Sequence, residues 1–355
     1  MSGTKYIGMD VHISSLVVAV VDERGKVVRE SILETKAPAI LAFIGSVPGN
    51  LHVTLEEGTY STWLYDLLLP HVAKVVVCDP RKNALLKVGN KNDKVDARKL
   101  AELLRGGMLS PVYHARRTSL RTLQELARSY RALTKDTTRV MSRLKAVYRG
   151  WGIACGGQQV YAPRHREAWL ERLREAGVRR RAEQLYEQFD FLRALHRRVQ
   201  RELLAESRKH PASEWLRIPC LGPLRVAQLI ALMQTPYRFR SKRQLWAYSG
   251  LALETHTSAE YCFVAGRVQR SKKVLALRGL NVNHNHDLKN IFKSAATAAT
   301  IRSGPWRDFY AGLLAKGMKP EMARLTLARK IAAIALALWK KGECFDATQL
   351  KPQAA

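Results

Sequence analysis

Three kinds of segment are missing from this 355-residue sequence, and each absence excludes a class of protein. No apolar run is long enough to cross a bilayer: the best candidate, residues 331–339, is short and is followed by two lysines. The N-terminus lacks the apolar stretch of a signal peptide. No GxGxxG fingerprint follows the first predicted strand, which argues against a dinucleotide site. We therefore expect a cytoplasmic protein with a core helix at 331–339.

Cysteine is scarce and scattered. The five cysteines are odd in number and form no CxxC pair. Neither a disulfide framework nor a zinc site is therefore indicated, and we interpret the thiols as buried or incidental.

Acidic residues are few compared with basic ones: 60 Lys and Arg against 30 Asp and Glu give a net charge of +30. The excess is uneven, with 14 basic and 12 acidic residues in 1–110, 23 and 10 in 111–210, and 23 and 8 in 211–355. Basic side chains gain affinity for a polyanion by neutralising phosphates and releasing counterions. This favours a nucleic-acid-binding protein, associated with the nucleoid, over a solvated basic surface or a membrane-surface protein.

The first hundred residues alternate between strand-like and helix-like patterns. We predict strands at 6–10, 15–21, 26–29, 51–56 and 74–78, with helices at 37–46, at 60–69 and after the last strand. This order fits an α/β ribonuclease-H-like (RuvC-like) domain over residues 1–112, although a short Rossmann variant would have a similar order.

The remainder is mainly helical by pattern. Helical segments at 118–148 and 164–210, separated by a Gly-rich and polar break, predict a long basic coiled-coil-like arm over 113–212. Such an arm serves either dimerisation or nucleic-acid binding. We expect a mainly α C-terminal domain at 213–345 and a tail at 346–355.

Carboxylates stand where an α/β sheet gathers side chains. Asp10 and Glu56 end two predicted strands, while Asp93 and Asp96 share one helix face because they are three residues apart. Glu57 is the alternative to Glu56, and Asp93 alone would also suit a helix N-cap. Because clustered carboxylates repel one another, the set favours bound Mg²⁺ or Mn²⁺, which can polarise a phosphodiester.

These segments resemble a known family. GMDV at 8–11, LEEGT at 55–59 and NDKVDA at 92–97 are similar to the DEDD site of transposases of insertion-sequence family 110. FRSKRQLWAYSGL at 239–251 resembles the family's RFRSxRQLxAYxGL block. With the segments at 257–260, 278–289 and 322–325, the sequence looks like subgroup 1111 of the family.

The resemblance implies an RNA-guided DNA recombinase of an insertion sequence. A structured, bridge-type RNA would pair with donor and target DNA, and the protein would act as a homodimer or homotetramer. The resemblance places a serine nucleophile at Ser258, with Ser271 as competitor, and metal ions on Asp10, Glu56, Asp93 and Asp96. Serine and carboxylates then form a composite site.

Nucleic-acid contacts are expected from Arg240, Lys242, Arg243, Lys272 and Lys273. Two other functions remain open at this point. A metal-dependent, structure-specific endonuclease resembling a junction resolvase would use the carboxylates without a serine intermediate, and a non-catalytic nucleic-acid-binding protein would need neither.

Overall fold

The computed structural model describes residues 3–83, 92–114, 120–258, 261–270 and 275–350. The chain forms two compact units, Met1–Thr118 and Ser119–Ala355. The predicted division of the second unit into an arm and a C-terminal domain remains a prediction.

The first unit contains a five-stranded mixed sheet, which confirms the predicted order of strands and helices. The elements are β1 (Thr4–Val11), β2 (Ser15–Val21), β3 (Val27–Glu34), α1 (Ala37–Gly45), β4 (Asn50–Glu56), α2 (Ser61–Leu68), β5 (Lys74–Cys78) and α3 (Asp93–Arg105). The order across the sheet is β3-β2-β1-β4-β5. β2 is antiparallel to both β1 and β3, whereas β4 is parallel to both β1 and β5.

The strand sequences explain the sheet. Apolar side chains of β1, β2 and β4, among them Ile7, Val18 and Val53, are fully buried in one core. The turn between β2 and β3 is set by Asp22, whose side chain accepts hydrogen bonds from the backbone N–H of residues 24 and 26, and by Gly25 at φ +86°. In the strand order β1 lies in the middle of the sheet, between β2 and β4, and its carboxyl end is beside that of the parallel β4.

The second unit begins with two long helices, α4 (Arg121–Gly150) and α6 (Ala176–Arg208), joined through the short α5 (Arg166–Leu170). They run antiparallel, since the ring centroids of Tyr130 and His196 lie 4.5 Å apart near one end and the hydroxyls of Tyr148 and Tyr186 lie 3.1 Å apart near the other. At 30 and 33 residues they are each about 45–50 Å long. A coiled coil remains a prediction.

The prediction of one helix from 164 to 210 is wrong, because residues 171–175 interrupt it. The reason is local packing. Trp169, Leu170 and Leu173 are buried against the end of α4 in a cluster that includes Tyr148 and Val160, so the chain turns over the end of the helix pair before α6 begins.

Several helices of the rest of the second unit pack around α12 (Pro320–Lys341), which confirms the predicted core helix at 331–339: Ile331, Ala335 and Leu338 are buried. Four strands here were not predicted, and they form two separate pairs, β6 with β9 and β7 with β8. The elements are α7 (Ala212–Trp215), α8 (Gly222–Met233), α9 (Lys242–Tyr248), β6 (Leu253–Ser258), β7 (Tyr261–Val264), β8 (Arg267–Arg270), β9 (Leu275–Leu280), α10 (His286–Ile301), α11 (Pro305–Ala315) and α12 (Pro320–Lys341).

Within the described ranges, no helix is both long and apolar enough to traverse a bilayer.

Candidate active site

The first two carboxylates lie side by side at one edge of the sheet. β1 and β4 are parallel, with Met9 opposite Leu55, so that the following residues, Asp10 and Glu56, occupy adjacent strand ends. Both side chains are half-buried. Parallel strands bring their carboxyl ends to a common edge, where α/β folds commonly place their sites.

Helix α3 approaches this edge because β1 carries a glycine. A Cβ on Gly8 would lie 2.1 Å from the carbonyl oxygen of Ala97 and 2.6 Å from the backbone N of Ala101. Gly8 and Asp10 are two residues apart and so face the same side of the sheet. The helix therefore packs directly on β1 over the face from which Asp10 projects.

The start of α3 supplies the other two carboxylates. The N-cap is Asn92, whose side chain accepts a hydrogen bond from the backbone N–H of Lys94 at 3.1 Å, so the alternative of Asp93 as cap is wrong. Asp93 and Asp96 occupy the first turn, where the helix dipole favours negative charge. Asp93 is exposed and Asp96 half-buried.

The carboxylates influence one another electrostatically. Burial raises the pKa of Asp10, His12 lowers it, and the charges of Asp93 and Asp96 raise it further. Burial likewise raises the pKa of Glu56, with Asn83 opposing and Asp10 and Asp96 adding to the rise. The charge of Asp96 therefore acts on the pKa of both strand-end carboxyl groups, which links the four predicted acidic residues electrostatically. The group whose ligand atoms lie close together contains Asp10 and Asp93 but not Glu56 or Asp96.

Sequence reasoning missed His12. Its Nε2 atom lies 3.3 Å from Oδ2 of Asp10 and 3.4 Å from Oδ2 of Asp93. In the part of the chain with described positions, Asp10, His12 and Asp93 form a group whose ligand atoms all lie within 4.8 Å of one another and could hold a metal ion. The signal in the sequence that could have identified His12 was its position two residues after Asp10, at the same strand end.

Sequence reasoning also missed Asn83, whose side chain forms a hydrogen bond with Glu56. This buried amide donates to Oε1 of Glu56 at 3.4 Å and to Sγ of Cys78 at 3.2 Å. The neighbouring Glu57 is exposed, and only its backbone N–H is placed by β5, through the carbonyl oxygen of Cys78 at 2.9 Å.

Two family models match the chain. Residues 7–151 match a model of DEDD-type IS110 proteins described as "Transposase", and residues 213–311 match one described as "Transposase IS116/IS110/IS902 family". Together they span more than half of the sequence, and both describe one family. The chain belongs to the IS110 family of transposases. No curated protein matches it.

Membership makes the protein an enzyme, a transposase or recombinase that acts on DNA. The DEDD match contains all four carboxylates of the cluster and His12, and a site of this type suggests the use of divalent metal ions.

The candidate residues of the transposase's second unit are only partly described. Ser258 is the last residue of β6, with its backbone paired to Leu275, while its side chain lies outside the described set. Ser271, Lys272 and Lys273 lie outside it altogether.

The cations Arg240, Lys242 and Arg243 are exposed around the start of α9. The Lys242 ammonium lies 5.7 Å from the ring of Trp246.

Proposed function

We propose that this transposase cuts and rejoins donor and target DNA through Ser258, with divalent metal ions held by Asp10, Glu56, Asp93 and Asp96 and with a structured, bridge-type RNA selecting the sites. The observation that carries the proposal is the carboxylate cluster at the edge of the sheet.

The donor set fits Mg²⁺ or Mn²⁺. Carboxylate oxygens are the ligands that these hard cations prefer. The raised pKa values of Asp10 and Glu56 reflect burial and like charge, which a divalent cation would relieve. When bound, the metal ions would stabilise negative charge on the phosphate under attack. Carboxylates from two strands and one helix turn would hold them.

The serine step is a transesterification that needs no energy source. The Ser258 hydroxyl oxygen forms a bond to phosphorus as the phosphodiester bond to one deoxyribose oxygen breaks, giving a phosphoserine link. The proton leaves the serine and the departing oxygen gains one. Rejoining reverses these changes with a hydroxyl of the partner strand.

Replacement of the serine tests this step. Ser258→Ala should abolish both strand exchange and the covalent protein–DNA species seen on a denaturing gel, while Ser271→Ala, the matched control, should keep both. If both variants continue to cut DNA and the wild type forms no adduct, the enzyme is a metal-dependent nuclease of the resolvase type. If only Ser271→Ala loses the adduct, the nucleophile is Ser271.

The glutamate assignment needs a separate test. Glu56→Gln should weaken Mg²⁺ binding at least tenfold by calorimetry, because this side chain shares the electrostatic cluster with Asp10. The exposed Glu57→Gln should bind Mg²⁺ like the wild type. The reverse pattern would transfer the metal-binding role to Glu57.

RNA guidance and assembly are proposed from the charge of the chain. Residues 111–355 carry 46 basic and 18 acidic side chains and have no recognisable base-reading motif, which suits selection by base pairing. Exposed Arg240, Lys242 and Arg243, together with Lys272 and Lys273, are proposed phosphate contacts. Purification with co-expressed flanking RNA, then sequencing, should recover one discrete structured RNA, and light scattering should show a dimer or tetramer. A random mixture of fragments would contradict guidance.

A further inference from the structure

The pair β7–β8 is a tight hairpin with an unusual surface. Ala265 and Gly266 both adopt positive φ, at +51° and +75°, the backbone conformation of a two-residue turn that matches the twist of the strands. The register places Phe263 opposite Val268 and Tyr261 opposite Arg270. Because side chains alternate along a strand, Tyr261 and Phe263 project from one face.

That face is open to solvent and largely apolar, with Arg270 opposite Tyr261 as its basic side chain. Phe263 is 77% exposed, Tyr261 66% and Val268 60%. An isolated two-stranded hairpin is only marginally stable, and contiguous exposed apolar groups mark binding surfaces.

Charge identifies the partner. Residues 261–273 contain four basic side chains and no acidic one. A second copy of this chain, at +30, would bring like charge against the hairpin, whereas a nucleic acid is complementary. Aromatic rings beside cations bind bases by stacking and the backbone by charge. Stacking requires free base faces, which unpaired nucleotides present and a duplex hides.

The position of the hairpin in the sequence indicates which DNA strand it binds. The hairpin follows β6, whose last residue is Ser258. We propose that the β7–β8 hairpin binds unpaired bases of the DNA strand beside the cleavage site, stacking them on Tyr261 and Phe263, while the basic side chains of the hairpin attract the phosphates. This inference rests on the proposed function, since it takes Ser258 as the residue that meets the scissile phosphate.

Fluorescence of a base analogue tests the stacking. The probe is a DNA oligonucleotide carrying 2-aminopurine, offered to the full-length protein either single-stranded or as a duplex of the same sequence. The wild type should quench the single-stranded probe. Phe263→Ala and Tyr261→Ala should each weaken its binding about tenfold, the factor expected when one base no longer stacks on a ring, and leave duplex binding unchanged.

Further variants separate stacking from general apolarity and from misfolding. Phe263→Trp should preserve quenching, whereas Phe263→Leu, which stays apolar, should lose it. Ile301→Ala is the matched control, since this residue of the same unit is also apolar and 71% exposed, and it should bind like the wild type. Three results would overturn the inference. They are an equal loss of binding to the single-stranded and duplex probes in the alanine variants, retention of quenching by Phe263→Leu, and a change of oligomeric state in Phe263→Ala.

Two more measurements isolate the inference from the function on which it rests. An RNA probe of the same sequence should be quenched no more strongly than the DNA probe, and stronger quenching would assign the hairpin to the guide. Ser258→Ala should lose the covalent adduct and keep the quenching. Quenching without any adduct in the wild type would contradict the serine mechanism alone, while an adduct without quenching would contradict the hairpin proposal alone.

Discussion

At the scale of single residues, Asp10 combines a proposed metal-binding role with a cost to the fold. Its side chain is only 26% exposed, and burial together with the charges of Asp93 and Asp96 raises its pKa. A raised carboxyl pKa favours the protonated form in the folded state. The stability that this contributes is present below the ordinary carboxyl pKa and is lost as the pH rises through the raised value.

Asp10→Asn should therefore stabilise the metal-free protein at neutral pH. We expect the Tm in EDTA to rise by about 2–4 °C, the shift that roughly 1 kcal/mol gives in a domain of this size, because the amide carries no charge into the cluster. Added Mg²⁺ should raise the Tm of the wild type and not that of the variant, because only a ligand bound to the folded state stabilises it.

Calorimetry with and without Mg²⁺ measures both effects, and Glu57→Gln provides the control. A lower Tm for Asp10→Asn in EDTA would show that the carboxylate is held by favourable contacts instead of repelled by its neighbours.

His12 affects the pKa of the Asp10 carboxyl group. Because its imidazole lowers the pKa of Asp10, removing it should raise that pKa further and make Mg²⁺ compete with a more tightly held proton. His12→Ala should therefore weaken Mg²⁺ binding by about two- to fivefold near pH 5.5 and leave it nearly unchanged near pH 8. Isothermal titration at the two pH values measures the difference.

The exposed His71 of the same unit supplies a matched control, and His71→Ala should bind Mg²⁺ like the wild type at both pH values. An equal loss of affinity at both pH values in His12→Ala would identify His12 as a direct ligand instead of an electrostatic neighbour.

At the scale of elements, the site depends on how closely α3 packs on β1. Gly8→Ala places a methyl group against the backbone of Ala97 and Ala101, where neither contact atom can move without the helix. We expect a decrease of about 1–3 kcal/mol in the free energy of unfolding, as in other overpacked cores, and weaker Mg²⁺ binding because Asp93 and Asp96 move with α3. Chemical denaturation and metal titration measure the two effects.

The comparison variant is Gly45→Ala at the end of α1, where a Cβ meets no atom within 4 Å. Its stability should stay at or slightly above the wild-type value, because alanine is the better helix former. Unchanged stability of Gly8→Ala would mean that α3 can withdraw from the sheet at little cost.

The same elements show what could be predicted from sequence. Strands β1, β2, β4 and β5 contain apolar runs with a buried core face, so their order and the adjacency of Asp10 and Glu56 followed from pattern and from parallel geometry. The strands of the second unit escaped prediction. Those of the β7–β8 hairpin have exposed side chains throughout, wherever these are described, and so carry no burial signal.

Contacts between residues that are distant in the sequence could not be predicted either. Asn83 joins the site through a contact with Glu56, 27 residues away, to which no residue spacing in the sequence corresponds. The contact of His12 with Asp93 also joins residues distant in the sequence, although its position two residues after Asp10 was a signal. The break between α5 and α6 follows from the packing of Trp169 and Leu173 over the end of α4, which is a tertiary effect that overrides helical periodicity.

At the scale of the whole molecule, charge is divided between the parts of the chain. Residues 1–110 are near neutral, whereas residues 111–210 have 23 basic and 10 acidic side chains. If the long helices bind nucleic acid, neutralising cations there should reduce the number of counterions released. The slope of log K against log salt concentration changes by about 0.9 for each duplex phosphate that the protein no longer neutralises, or by about 0.7 for each phosphate of a single strand.

The double variant Arg198→Gln with Arg201→Gln, at two exposed positions of α6, should make this slope shallower by about 1–2 and weaken binding most at low salt. Arg24→Gln with Lys26→Gln removes the same charge from an exposed turn of the first unit and should leave the slope unchanged. Fluorescence anisotropy over a salt series measures both. Equal changes in the two variants would mean that total charge attracts the polyanion, and an unchanged slope in the α6 variant would place the phosphate-binding cations elsewhere in the basic region.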